Sequence, residues 1–255
     1  MAVLSLHPLH GVSPGAAAMA TMLSLGGLAF AALEGWPVWA RGLAAVLPWL
    51  PIFVHRLAAI YRDYHWLALF YGLVVTQTAH LLEHVAQMTQ IHLMGLTGPD
   101  ARGIFGALDV EWVHFIWNTW VLLAVLLLLR RFGSDSWLRL AALLSGWHEL
   151  EHVYIFSVYL ATGVSGTPGL LSHGGVLGGG LPISRPDLHC VYNLVETTPL
   201  VAAFLSEVRR TSGPERPAFG VAASGSCAAA GWLRWRSRLG LDVGREVHDE
   251  PPVDR

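Results

Sequence analysis

The chain contains no lysine; all 16 of its basic residues are arginine. It has only two cysteines, Cys190 and Cys227. Two cysteines that far apart argue against a disulfide framework and against a thiolate metal site. Charge is scarce too. Charged residues make up 13% of the chain, where a soluble domain carries about 25%. The net charge of −2 gives a nucleic-acid partner no electrostatic footprint. No basic stretch precedes the first apolar run, so a cleaved signal peptide is not expected. The first span is expected to act as an uncleaved insertion signal.

What the chain has in abundance is apolar length. Hydrophobic residues account for 53% of its 255 positions. They fall in runs near the ~20 residues that a bilayer core requires. Six spans are predicted: Ala16 to Leu33, Val38 to Val54, Trp66 to Leu93, Val110 to Leu129, Trp137 to Ala161, and Leu188 to Leu205. The second is short and interrupted by Pro48 and Pro51. The predicted fold is therefore an all-α integral membrane protein. A two-span hairpin over residues 1–62 precedes a four-span bundle over 63–210, and a polar tail follows over 211–255. Within the tail, Trp232 to Leu239 mixes aromatics with arginines, as a helix lying on a membrane surface would. Disorder is the alternative there.

Arginines give an orientation. Arg56 and Arg62 follow the second span, Arg130, Arg131 and Arg139 lie near the turn after the fourth, and Arg209, Arg210 and Arg216 follow the sixth. The other connections hold Arg41, Arg102 and Arg185, one each. The positive-inside rule then puts both termini in the cytoplasm, with a bacterial inner membrane as the expected location. The two longest outward loops are Gly95 to Leu108 and the glycine-rich Thr162 to Asp187. The tight connection around Phe132 to Ser136 makes the fourth and fifth spans antiparallel neighbours.

The chemistry-bearing residues sit in the last four spans. The third span carries His80-Leu81-Leu82-Glu83-His84, and the fifth carries His148-Glu149-Leu150-Glu151-His152. The fourth carries His114 and Asn118; the sixth carries His189, Asn193 and Glu196. Residues four apart share a helix face, so each helix presents a stripe of candidate ligands. The segments 80–85 and 148–153 differ at one position in six, and each is followed by a span with His-x-x-x-Asn. The region thus reads as an internal repeat, 63–131 and 132–210, with its halves packed about a pseudo-two-fold axis. All four stripes reach a similar depth, in the outer half of the membrane.

A lone membrane histidine is commonly a helix–helix hydrogen-bond partner. Six histidines and several glutamates at one level need more, because ionisable groups in hydrocarbon are costly and mark functional sites. The expected site holds two metal ions on His80, Glu83, His84, His114, Asn118, His148, Glu151, His152, His189, Asn193 and Glu196. Carboxylate among the imidazoles tilts the expected metal to iron, with zinc and copper as alternatives. His173 is a further residue that could approach from the outer loop, and Glu149 is expected to point away.

Three functions fit this pattern. The first is an oxygen-dependent di-iron oxidoreductase, a hydroxylase or desaturase type, acting on an apolar or lipid-like substrate and supplied by an electron-transfer partner. Its site chemistry resembles that of the histidine-rich membrane hydroxylases and desaturases, with His-x-x-Glu-His in place of their His-x-x-His-His boxes. The second is an intramembrane zinc hydrolase, since His-x-x-Glu-His also resembles the inverzincin motif, with Glu83 or Glu151 as catalytic base. The third is a non-catalytic metal carrier or sensor. The uniformly apolar inner end, such as Val121 to Leu129, argues for a fixed site over a transport path.

Overall fold

The computed structural model describes residues 11–212. They fold into helices, with no strand among them and one isolated bridge between Gly175 and Gly179. Helix α1 spans Pro14–Leu33, α2 Val38–Val46 and α3 Leu50–Tyr64. Helix α4 spans Trp66–Met88 and runs on through a π turn, Thr89–Leu93. Helices α5, α6 and α7 span Val110–Phe132, Ser136–Thr162 and Arg185–Ser212.

Local chemistry sets the helix ends. Ser13 accepts the Ala16 N–H at 3.1 Å, and Pro14 takes the first turn, where its missing N–H costs nothing. Asp109 opens α5 by accepting the N–H groups of Glu111 and Trp112 at 3.0 and 3.1 Å. Asp135 opens α6 in the same way, on Trp137 and Leu138 at 2.9 and 3.1 Å. Such caps satisfy donors that the first turn leaves unpaired. Gly163 ends α6 with φ of +69°, the left-handed conformation that glycine adopts freely.

One predicted boundary needs correction. The second span does not stop at Val54, and Arg56 and Arg62 do not lie in a loop. Pro48 and Pro51 fall at the starts of a 3-10 turn, Leu47–Trp49, and of α3, where proline is tolerated. The chain therefore stays helical to Tyr64, and Arg56 is buried on that helix. The break comes at His65, a non-glycine residue with φ of +28°. The predicted surface helix at Trp232 to Leu239 lies outside the described residues.

Four helical segments are long and apolar enough to cross a membrane: Pro14–Leu33, Val38–Tyr64, Val110–Phe132 and Arg185–Thr211. The fold is that of an integral membrane protein in this sense. Helices α4 and α6 have 23 and 27 residues and carry the buried polar side chains described below.

Helices α4 to α7 form a ring in which α4 packs on α5 and α7, and α6 packs on the same two. Outside this ring, α1 packs on α2, and α3 on α4. Because the four helices alternate in direction, the start of α4, the end of α5, the start of α6 and the end of α7 share one end of the bundle. The core of that end is apolar, with Phe70, Leu73, Val125, Leu128, Leu138 and Leu200 fully or almost fully buried, and Asp135 and Glu207 buried at its rim beside Arg210. The other end buries polar groups instead. Its outward faces carry Leu82, Val85, Ile116, Leu150, Val153 and Leu194, all exposed. Polar inside and apolar outside is the reverse of a soluble bundle, and suits hydrocarbon as the solvent.

Candidate metal centre

The polar end is built on one-turn pairs. His80 and His84 face the same way from α4, and their Nε2 atoms lie 3.2 Å apart. His148 and His152 do the same from α6, also at 3.2 Å. Metal–nitrogen bonds of about 2.0–2.1 Å put two tetrahedral ligands about 3.3–3.4 Å apart, so each pair is spaced to share one ion. A third imidazole joins each pair from the neighbouring helix. His114 Nδ1 donates to the Val110 carbonyl at 2.6 Å, and His189 Nδ1 donates to the Arg185 carbonyl at 2.9 Å. Those bonds fix the tautomer and leave Nε2 of both rings as the free donor. The groups His80–His84–His114 and His148–His152–His189 each bring three nitrogens within 4.8 Å of one another. All six rings are buried, and His189 Nε2 has no hydrogen-bond partner among the described residues.

The two triads abut. The His84 and His189 rings are 6.4 Å apart, and the His114 and His152 rings 5.9 Å. These are the same contact under exchange of the two halves. The exchange extends to the packing behind the site, where Trp117 lies 5.1 Å from His80 and Tyr192 lies 5.2 Å from His148. The ring contacts of one half of the site thus recur in the other.

The other predicted ligands are placed differently. Asn118 and Asn193 donate to the carbonyls of His114 and His189, one turn back on their own helices, at 2.9 and 3.0 Å. Asn193 Oδ1 also accepts from Gln77 at 3.1 Å. Glu83 turns to the loop between α4 and α5, where its Oε1 accepts the N–H groups of Ile104, Phe105 and Gly106 at 2.6, 2.7 and 3.0 Å. Glu151 turns to the loop between α6 and α7 and accepts the Leu170 N–H at 2.9 Å. Through Oε1 both carboxylates thus anchor loop backbone, while Glu151 Oε2 is buried with no hydrogen-bond partner among the described residues. Gly103 and Gly169, at φ of +78° and +86°, lie against these carboxylates, and a Cβ at either would collide with the oxygen. Glu196 stands behind His148: its Oε2 accepts from His148 Nδ1 at 2.9 Å and its Oε1 from Ser145 at 2.6 Å. Glu149 accepts from Thr119 of α5 at 2.7 Å. His173 is exposed on its loop and belongs to neither triad.

A cavity of about 550 Å³ lies between the histidines and the outer loops. His84, His114, His152 and His189 line it, so both triads open on the same space. Most of its remaining wall is apolar, including Ile91, Leu96 and Pro99. Arg185 stands at its side, tied to Glu111 by two hydrogen bonds of 2.6 and 2.9 Å, and Glu111 also accepts the Gly166 N–H at 2.9 Å. Sequence reasoning missed the roles of Arg185, Glu111, Gln77 and Ser145. Gln77 and Ser145 had one available signal, since each lies three residues before the first histidine of its motif and so on the same helix face. No protein-family model, no curated protein and no solved structure matches this chain.

Proposed function

We propose that the chain crosses the membrane six times, holds one metal ion on each histidine triad, and works as an oxygen-dependent oxidoreductase on an apolar or lipid-like substrate. The observation that carries this reading is the pair of abutting triads opening together on one cavity. Two ions at that separation can share the electrons that reduction of dioxygen requires. The cavity has the size of a small-molecule pocket and a largely apolar wall, as an apolar substrate needs. An electron-transfer partner would restore the reduced state. Spans over α4 and α6 are supported by their length and by outward leucines and valines, while their polar residues face the bundle interior. The arginine distribution supports cytoplasmic termini, a bacterial inner membrane and a centre in the outer half.

The donor set bears on the metal. Iron was expected on the strength of carboxylate among the imidazoles, and Oε1 of both motif glutamates is engaged by a loop N–H. Six neutral imidazoles suit copper as well as iron. Apart from Glu196 behind His148, they leave the ionic charge uncancelled, which favours a pair of monovalent copper ions over a pair of ferrous ions in a low-dielectric interior. Copper is therefore the first choice and iron the second. The zinc hydrolase is the weaker reading, because Glu83 Oε1 and Glu151 Oε1, its expected bases, each accept from loop backbone. The carrier reading meets the packed apolar end, where Phe70, Leu73, Val125 and Leu128 leave no ligands for a path.

Metal analysis of the detergent-purified full chain tests the proposal. Two copper or two iron ions per chain, with an optical change when the reduced protein meets oxygen, are expected. His84→Ala and His152→Ala should each remove one ion. Stoichiometric zinc with no redox response, or full metal content in both variants, would sink it.

A further inference from the structure

The two halves of the centre match ring for ring, so a difference between them stands out. The offset that pairs His114 with His189 and Trp117 with Tyr192 also pairs Glu196 with Val121. Val121 is an apolar residue, 1% exposed. Glu196 is equally buried, and both its oxygens are occupied from α6, by His148 Nδ1 and by the Ser145 hydroxyl. In the other half, His80 Nδ1 has no hydrogen-bond partner among the described residues. Gln77, at the position of Ser145, reaches across to Asn193 instead. Ring packing does not distinguish the halves, since His80 rests on Trp117 as His148 rests on Tyr192. The carboxylate does.

We infer that Glu196 is a positioning residue that makes the two ions unequal: the triad of His148, His152 and His189 binds its ion more tightly than the triad of His80, His84 and His114. This inference rests on the reading of both triads as metal sites. A carboxylate that accepts from the far nitrogen of a ligating imidazole fixes the ring and strengthens the near nitrogen as a donor. Here it fixes His148 with Nδ1–H towards Glu196 and the Nε2 lone pair towards His152. It also brings one buried negative charge to one ion only, where the low dielectric makes that charge count. The ion on this side fills first and holds its higher oxidation state more firmly. The Ser145 hydroxyl aims the carboxylate.

The test titrates the metal-stripped full chain with zinc(II), which is redox-inert and suits three imidazoles, against a chromophoric zinc chelator. Wild type should bind in two steps, at least about ten-fold apart. His152→Ala should delete the tighter step and His84→Ala the weaker. Glu196→Gln should weaken the tighter step by roughly 10–100-fold and leave the weaker one in place, so the steps converge. Ser145→Ala, which leaves the carboxylate buried and charged, should shift the same step by less. Two equal steps in wild type overturn the inference, as do equal losses at both steps, or none, in Glu196→Gln. If Glu196→Gln does not fold, an unmoved tighter step in Ser145→Ala overturns it. A wild-type chain that takes up no zinc removes the metal-site reading as well, so the two failures are told apart.

Discussion

Replacing Glu83 by alanine should loosen the loop over the centre without emptying the centre of metal. The carboxylate oxygen gathers three backbone N–H groups, from Ile104, Phe105 and Gly106. A hydrogen bond to a charged group contributes about 1.5–3 kcal/mol, and a buried donor stripped of its acceptor costs about 1–3 kcal/mol. Ile104 and Phe105 are half-buried and Gly106 is buried, so water replaces the carboxylate only in part. Taking the low end for each donor gives a loss of about 3 kcal/mol. For a domain of this size, about 2–4 °C of melting temperature accompanies each kcal/mol. The variant should therefore melt roughly 6–12 °C below wild type in the same detergent, scanned at the same rate because membrane-protein unfolding is often irreversible.

Glu83→Gln keeps an acceptor oxygen and loses only the charge-assisted share, about 1 kcal/mol. Glu151→Ala strips the Leu170 N–H and should fall between the two. Metal content, measured alongside, should stay at two ions per chain in all three. A Glu83 variant that loses one ion while melting like wild type would refute the reasoning and return Glu83 to the ligand set.

Gly103→Ala and Gly169→Ala should each cost at least about 1–2 kcal/mol, from the positive φ and the collision with the anchoring carboxylate; in double-mutant cycles with Glu83→Ala and Glu151→Ala the losses should be non-additive. Arg185→Ala strands Glu111, which is 1% exposed, and should lower stability by about 3–5 kcal/mol; the added change Glu111→Gln should recover part of it in the same thermal assay. Leu128→Ala, in the apolar end, should cost about 2–5 kcal/mol with metal content unchanged.

The histidines were legible because four-residue spacing on a helix is a geometric statement that the sequence makes directly. His80 with His84 and His148 with His152 needed no tertiary information to be paired, and the repeat supplied the partner helices. The glutamates were not legible. Their stripe faces the same interior, and only the path of a loop some twenty residues further on decides whether an ion or a backbone meets the carboxylate. Gly103 and Gly169 were the trace of that contact in the sequence, too common a residue type in these loops to be read. Asn118 and Asn193 each donate to the histidine carbonyl one turn back, a local bond that residue spacing does not announce, while Asn118 Oδ1 is left buried without a partner among the described residues. Arg185 was counted as an orientation charge, because nothing in the sequence shows that Glu111 would reach it. The second span was cut short by two prolines that turned out to sit in first turns.

The motif His-x-x-Glu-His thus carries two jobs at once, and helix geometry explains why one short segment can do both. Its histidines, one turn apart, project onto a common face and bring their Nε2 atoms to 3.2 Å, a spacing that one ion could share. The glutamate, three residues after the first histidine, sits about 60° around the helix from it. From there it reaches the loop that follows its own helix and accepts backbone N–H groups there. Burying that carboxylate in hydrocarbon would be costly without partners, and the loop supplies them as N–H donors. A carboxylate turned elsewhere would leave each loop without that anchor. Duplication of the segment then places two histidine pairs and two anchored loops around a single space. Glu196, the carboxylate that accepts from a triad histidine ring, belongs to one half alone. The symmetry of the repeat builds the centre, and the break in it is where the two ions can come to differ.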